Sequence, residues 1–198
     1  ANTTGTQNTA VGKDAGLSLT TATYTTLIGA FAGDAITTGT FNTAVGGASL
    51  TANTTGANNT AVGTSALASN STASNNTALG FEALATNSTG HTNVAVGALA
   101  LDANTTGNYN IALGVNALTA NTTAADNIAI GTSALGANTT GTNNVAVGQN
   151  ALDAVTTSNN NIAIGLDTLS GAAGNQNVAI GTDGQKVSTA ANNTSVGY

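Results

Sequence analysis

Short apolar runs recur along the whole chain at a fixed spacing, and a glycine closes each run. The interval between closing glycines is the same nine times in succession, as from Gly12 to Gly29, and is one residue shorter in the last two intervals. These marker glycines are Gly12, Gly29, Gly46, Gly63, Gly80, Gly97, Gly114, Gly131, Gly148, Gly165, Gly181 and Gly197. A short fixed period is typical of repeat proteins whose units stack, so the pattern predicts a solenoid.

The apolar runs are better interpreted as strands than as helices. They are only two or three residues long, rich in Val, Ile and Thr, and bounded by Gly and Asn. We predict an all-β fold, a parallel β-solenoid (β-roll) of about 11 coils with 17 residues per coil. Each coil would carry two short strands, around "NVAVG" and "NAL", joined by glycine-bearing corners. At about 4.8 Å per coil, the rod would be about 50 Å long.

The predicted regular array covers residues 1–181, and residues 182–198 are predicted to form an irregular terminal coil or a passage to a further module. "GTDGQKVSTAANN" lacks the Ala-Leu pair that six earlier units carry. The chain begins inside a repeat unit and contains no Met. We therefore expect it to be a processed product or a segment of a longer protein.

Three columns of the repeat carry the predicted structural roles. A structural asparagine ladder at a corner comprises Asn42, Asn59, Asn76, Asn93, Asn110, Asn127, Asn144 and Asn161. The corner glycines of the regular units are Gly46, Gly63, Gly80, Gly97, Gly114, Gly131, Gly148 and Gly165. The aliphatic column that forms the core or an interface comprises Val45, Val62, Leu79, Val96, Leu113, Ile130, Val147 and Ile164.

The strand pattern also predicts self-association. Alternate side chains of a strand face opposite ways, and in "NVAVG" or "NIAIG" both faces are apolar. A strand that is apolar on both faces is normally buried on both, yet one short coil has a single interior. We therefore predict a side-by-side homotrimer. The alanine column suits a thin interior and the Val/Ile column suits an interface, but the pattern leaves open which face lines the coil.

The composition argues against nucleic-acid binding, metal binding and catalysis. The chain has two cationic residues, eight acidic residues, one histidine and a net charge of −6, so nucleic-acid binding has almost no electrostatic basis. His91 lies in the predicted corner "TGHTN" and is interpreted as a solvated loop residue. The acidic residues are scattered, and the glycine-rich calcium repeat is absent. We predict no catalytic, cofactor-binding or metal-binding residues and no enzymatic activity.

The phrases "NVAVGxxAL" and "NIAIGxxAL" resemble the head repeats of YadA-type trimeric autotransporter adhesins. "TAVGTSALASNSTASNN" is similar to 17-residue arrays of phage tail-fibre-like and large bacterial surface proteins. The resemblance implies a trimeric β-roll, an extracellular location on a cell surface or virion, and a cell-surface or glycan receptor as partner. The period of 17 departs from the shorter adhesin repeat. Neither a coiled-coil stalk nor a membrane anchor is visible, so this segment is not expected to insert into a membrane.

These observations predict a structural segment of an extracellular fibre, either a phage tail fibre or a bacterial surface adhesin filament. The alternative is a ligand-binding solenoid with an ice-binding or glycan-binding face. A Thr-Thr or Ser-Thr pair recurs in ten consecutive units and is interpreted mainly as capping corner backbone groups. The repeat also generates N-x-S/T sequons, which would be glycan acceptors in a eukaryotic secreted protein, at Asn53, Asn70, Asn87, Asn104, Asn121 and Asn138.

Overall fold

A computed structural model describes residues 2–186 and 189–197. Twelve strands of three residues each form one parallel sheet in the order of the sequence. The strands are β1 (Thr9–Val11), β2 (Thr26–Ile28), β3 (Thr43–Val45), β4 (Thr60–Val62), β5 (Thr77–Leu79), β6 (Val94–Val96), β7 (Ile111–Leu113), β8 (Ile128–Ile130), β9 (Val145–Val147), β10 (Ile162–Ile164), β11 (Val178–Ile180) and β12 (Thr194–Val196). The predicted parallel β-solenoid of about 11 coils is confirmed.

Successive strands pair at the repeat spacing. Thr43 is opposite Thr60, which is a register of one repeat unit. The fourth coil bonds to both neighbours, because Thr60 N–H donates to the Asn76 carbonyl at 2.9 Å and Gly63 N–H donates to the Val45 carbonyl at 2.8 Å. Between β10 and β11 the register is one residue shorter, with Ile162 opposite Val178. Each coil is therefore stabilised mainly by the coils directly before and after it.

The prediction of a second strand around "NAL" is wrong. This part of each described coil consists of turns in which alternate residues have positive φ, for example Ser65 at 57° and Leu67 at 52°. The turn still bonds between coils, because Ser65 N–H donates to the Gly47 carbonyl and Leu67 N–H to the Ala83 carbonyl, each at 3.0 Å. The inter-coil bonds that a strand would supply are formed, but the alternating backbone turns the chain through the corner.

The interior is thin and filled by small or medium side chains. The central alanines of β3 to β11 point inward and have no exposed surface, and so do the leucines of the "AL" corner from Leu67 to Leu152. The alanine face therefore lines the coil, which answers the question that the strand pattern left open. The Val/Ile column lies on the outside.

The second strand fills the interior differently. Leu27 replaces the central alanine and is fully buried. Gly16 and Gly33 stand where later coils have the corner leucine, and a Cβ atom at Gly33 would lie 2.7 Å from a methyl carbon of Leu27. The large side chain has moved from the corner to the strand, so the volume of the interior is maintained.

Residues 182–198 were predicted to form an irregular terminal coil or a passage to a further module, yet this part of the chain still contributes a strand to the sheet. β12 pairs with β11 through Thr194, Ser195 and Val196. Residues 187–188 and 198 of the predicted terminal segment lie outside the described residues. Within the described ranges, no helix is long and apolar enough to cross a membrane.

Candidate functional site

The outward side of the sheet is the most distinctive surface of the rod. The first and third residues of every strand point outward and form two columns, which together we call the strand face. Most of these side chains are half-buried or exposed, whereas the alanine between them is buried in β3 to β11. A sheet 12 strands long therefore presents mainly β-branched side chains, with Leu79 and Leu113 as exceptions, to its surroundings.

The predicted aliphatic column forms one edge of the strand face. Its members are partly exposed, and the exposed fraction reaches 47% at Leu79. Val45, Val62, Val96, Leu113 and Val147 are of intermediate exposure, and Ile130 and Ile164 are exposed. The structure thus brings the predicted residues together on one surface, although none of them belongs to the interior.

The other column of the strand face changes chemistry halfway along the rod. The first strand residue is Thr in β1 to β5, Val or Ile in β6 to β11, and Thr again in β12. Threonine and valine have almost the same shape, so the outline is kept while a hydroxyl is exchanged for a methyl group. The face of β6 to β11 is consequently aliphatic in both columns.

Charged groups lie away from the strand face. The 12 described strands contain no charged residue. Ion pairs lie on exposed turns, where Lys13 Nζ is 4.0 Å from an Asp14 oxygen and Lys186 Nζ is 2.9 Å from an Asp183 oxygen. Self-repulsion arising from the net charge of −6 therefore does not act directly across this surface.

The corner glycines are required by close contact between coils. Gly46 has a φ of +132°, and a Cβ atom built on it would lie 2.6 Å from the carbonyl carbon of Gly63. The same contact recurs at the predicted corner glycines, with φ between +129° and +143°. Here a side chain is excluded both by the backbone conformation and by the neighbouring coil.

The predicted asparagines form a buried ladder beside the strands, which we call the strand-side ladder. Asn42 Oδ1 accepts a hydrogen bond from Asn59 N–H at 2.9 Å, and Asn42 Nδ2 donates to the Gly56 carbonyl at 2.7 Å. All eight predicted members are fully buried. From Asn110 onward Nδ2 also donates to the preceding Oδ1, at 3.2 Å for Asn93. The ladder satisfies buried backbone groups that the short strands leave unpaired.

A second buried ladder was missed from the sequence. Asn53, Asn70, Asn87, Asn104, Asn121 and Asn138 are fully buried and form what we call the corner ladder. Asn70 Nδ2 donates to Asn53 Oδ1 at 3.0 Å and to the Ala73 carbonyl at 2.9 Å. The signal was their recurrence at the repeat spacing with a small residue three positions later. In the folded chain these sequon amides are enclosed, so they offer no surface for a glycan.

The threonine pairs divide between two roles. The first hydroxyl of a pair donates to a carbonyl of the next coil, as Thr54 Oγ1 does to Ser71 at 3.1 Å. This bond supports the interpretation that hydroxyls cap corner backbone groups. The second threonine, such as Thr55, is exposed, and its hydroxyl forms no hydrogen bond within the described residues. One outward rank of threonines results.

The histidine and the acidic residues of the described chain all lie outside the strands. His91 packs edge-on against Tyr109 with ring centroids 5.1 Å apart, and its Nδ1 lies 3.2 Å from Thr92 Oγ1. Burial, and secondarily the Asp167 charge, raises the pKa of Asp153 above its ordinary value of 3.8. No acidic or histidine cluster that could hold a metal ion and no ligand-sized cavity is found in residues 2–186 and 189–197.

Comparisons with known proteins found no matching family model, curated protein or solved structure. The repeat solenoid with its regular coils is thus established by the structure alone.

Proposed function

We propose that this chain is a structural segment of an extracellular fibre, and that copies of it assemble side by side through the strand face. The observation that carries this proposal is the long, uncharged, outward face of mainly β-branched residues on a uniform parallel sheet. Its role is mechanical, giving length and rigidity, and not enzymatic. The fibre is a phage tail fibre or a bacterial surface adhesin filament, as the resemblance of the repeats suggests.

The occupant of the strand face is a second copy of the same chain. The side chains of the strand face repeat about every 4.8 Å along the rod. Only a partner with the same repeat can interdigitate with them over the full length of the rod. Twelve strands about 10 Å wide give each chain roughly 550 Å² of face, so a pair would bury about 1,100 Å². That area exceeds the roughly 1,000 Å² expected of a biological interface and is just below the range of about 1,200–2,000 Å² for stable ones.

A homotrimer is the proposed assembly because three such faces can close around a common axis, leaving no strand face exposed. The aliphatic half, β6 to β11, contributes the drier contacts. The polar corners then form the exterior of the fibre, which is extended simply by adding units. A cell-surface or glycan receptor is the proposed partner of that exterior.

A charge placed on the strand face tests the proposal. Ile130→Asp introduces a carboxylate where copies would pack, and we expect it to lower the molar mass measured by light scattering. Thr123→Asp is the matched control, because Thr123 is exposed on a polar corner of the same coil region. Equal masses for the two variants and the parent chain would argue against assembly through this face.

A second candidate function is ligand binding by the outward threonine rank. It is supported by the exposed hydroxyls of Thr38, Thr55 and their equivalents, which have no hydrogen-bond partner within the described residues. Thermal-hysteresis and glycan-array assays test this alternative directly. Activity that is abolished by Thr55→Val and Thr72→Val, and retained by Ile130→Asp, would favour it.

A further inference from the structure

We propose that the rod opens in two segments, with the division at the junction between Asn138 and Val155. The coils that carry β10 to β12 would unfold and refold while the preceding coils stay closed. Such a division would let one end of the rod yield under load or heat without loss of the remainder. It concerns the single chain and does not depend on the proposed assembly.

The corner ladder ends at this junction. Each earlier asparagine accepts a side-chain hydrogen bond from the next coil, as Asn121 Oδ1 does from Asn138 at 3.2 Å. The next position in the column is Val155, which is buried and has no side-chain donor. Asn138 Oδ1 is consequently a buried acceptor without a partner among the described residues. An unpaired buried acceptor weakens the contact between the two coils.

The threonine ladder crosses this junction and ends one coil later. Thr139 Oγ1 donates to the Thr156 carbonyl at 3.0 Å. Thr156 is exposed, and its hydroxyl forms no hydrogen bond within the described residues. The two side-chain ladders therefore break at successive contacts between coils, whereas the strand-side ladder continues through Asn161 to Asn177.

The coils beyond the junction also have a weaker interior. Their repeat is one residue shorter, and Gln185 stands where earlier coils have the corner leucine. The central residue of β12 is Ser195 and not alanine. Near the N-terminal end of the rod, the central residue of β2 is Leu27, which is fully buried. The two ends therefore differ in how much apolar surface their strands bury.

These differences act locally because a solenoid is nearly one-dimensional. Its stability is approximately a sum of the contributions of single coils and of the contacts between neighbours. A weak contact followed by weak coils therefore creates a boundary between two cooperative units. Hydrogen exchange of backbone amides measures the opening of each unit separately.

The test is hydrogen exchange of the full chain and of two variants of Val155. Amides of β10 and β11 should exchange faster than those of β8 and β9, and faster than those of β2, which is as far from its end as β11. Val155→Asn restores the missing donor, and we expect exchange in β10 and β11 to slow about tenfold. Val155→Ala, which removes the valine methyl groups without adding a donor, should not slow exchange.

A third variant moves the boundary. Asn121→Val breaks the corner ladder two coils earlier, so the fast-exchanging segment should then begin at β8. Uniform exchange from β2 to β11 in the parent chain would overturn the proposal. So would equal exchange in the Val155→Asn and Val155→Ala variants, or an Asn121→Val variant whose fast segment still begins at β10.

Discussion

Asn93 and Asn110 occupy the same position in successive coils, and Asn93 Oδ1 accepts hydrogen bonds from both Asn110 N–H at 2.9 Å and Asn110 Nδ2 at 3.2 Å. Both residues are fully buried. The relationship is repeated along the strand-side ladder, so one amide per coil links three-residue strands that have few backbone bonds of their own. The ladder is thus a structural requirement of the fold and not a ligand site.

Replacing one asparagine of the strand-side ladder should destabilise the rod by more than the small size of the side chain suggests. Asn110→Ala removes the acceptor of Asn127 N–H, which is left buried and unpaired, and it removes one of the two side-chain donors to the Ala124 carbonyl. We expect a loss of about 3 kcal/mol in the free energy of unfolding. Urea denaturation measures this loss, with exposed Thr106→Ala as a control that should change stability by about 0.5 kcal/mol or less. Similar losses in both variants would contradict the role of the ladder.

Adjacent glycines provide a matched test of the corner. Gly46→Ala forces a Cβ atom against the Gly63 backbone at a φ of +132°, whereas a Cβ atom at Gly47 meets no atom within 4 Å. We expect Gly46→Ala to cost about 2 kcal/mol or more and Gly47→Ala about 0.5 kcal/mol or less. The melting temperatures of the two variants distinguish these outcomes. Two variants of equal stability would show that the corner can relax.

The pH dependence of stability should depend on Asp153. Its pKa is raised by burial and by the Asp167 charge, so the ionised carboxylate is disfavoured in the folded chain. A raised pKa in an acid means that this residue's stabilising contribution is present below about pH 3.8 and is lost as the pH rises through the folded-state pKa.

Asp153→Asn should therefore be more stable than the parent chain at pH 7, and the difference should disappear near pH 3. Thermal unfolding of both chains across this range measures the effect. A constant difference at all pH values would mean that the substitution acts through packing or hydrogen bonding and not through charge.

The repeat spacing made the architecture predictable. A fixed aliphatic residue before each marker glycine, such as Val62 before Gly63, identified the strands, because residues that stack on their copies must share one chemistry. Alanine between two β-branched residues indicated that one face of the strand is much thinner than the other. The positions of the strands could therefore be predicted from the repeat, but which strand face lines the coil could not.

Other features depend on contacts that the sequence does not specify. Leu67 adopts a φ of 52°, a conformation that leucine rarely takes, because its backbone must bond to the next coil while its side chain enters the core. Because the sequence pattern does not show this conformation, the "AL" segment was predicted to be a strand. The sequence shows Asn87 only as part of a sequon that the repeat generates, whereas its burial depends on how the coil turns.

The molar mass of the parent chain, measured by light scattering at several concentrations, tests the central claim most directly. Assembly through the strand face predicts a stable species near three times 18.9 kDa across the concentration range. A monomer of 18.9 kDa at every concentration would contradict the proposed assembly. It would mean that the aliphatic face of β6 to β11 is exposed to solvent in the working protein.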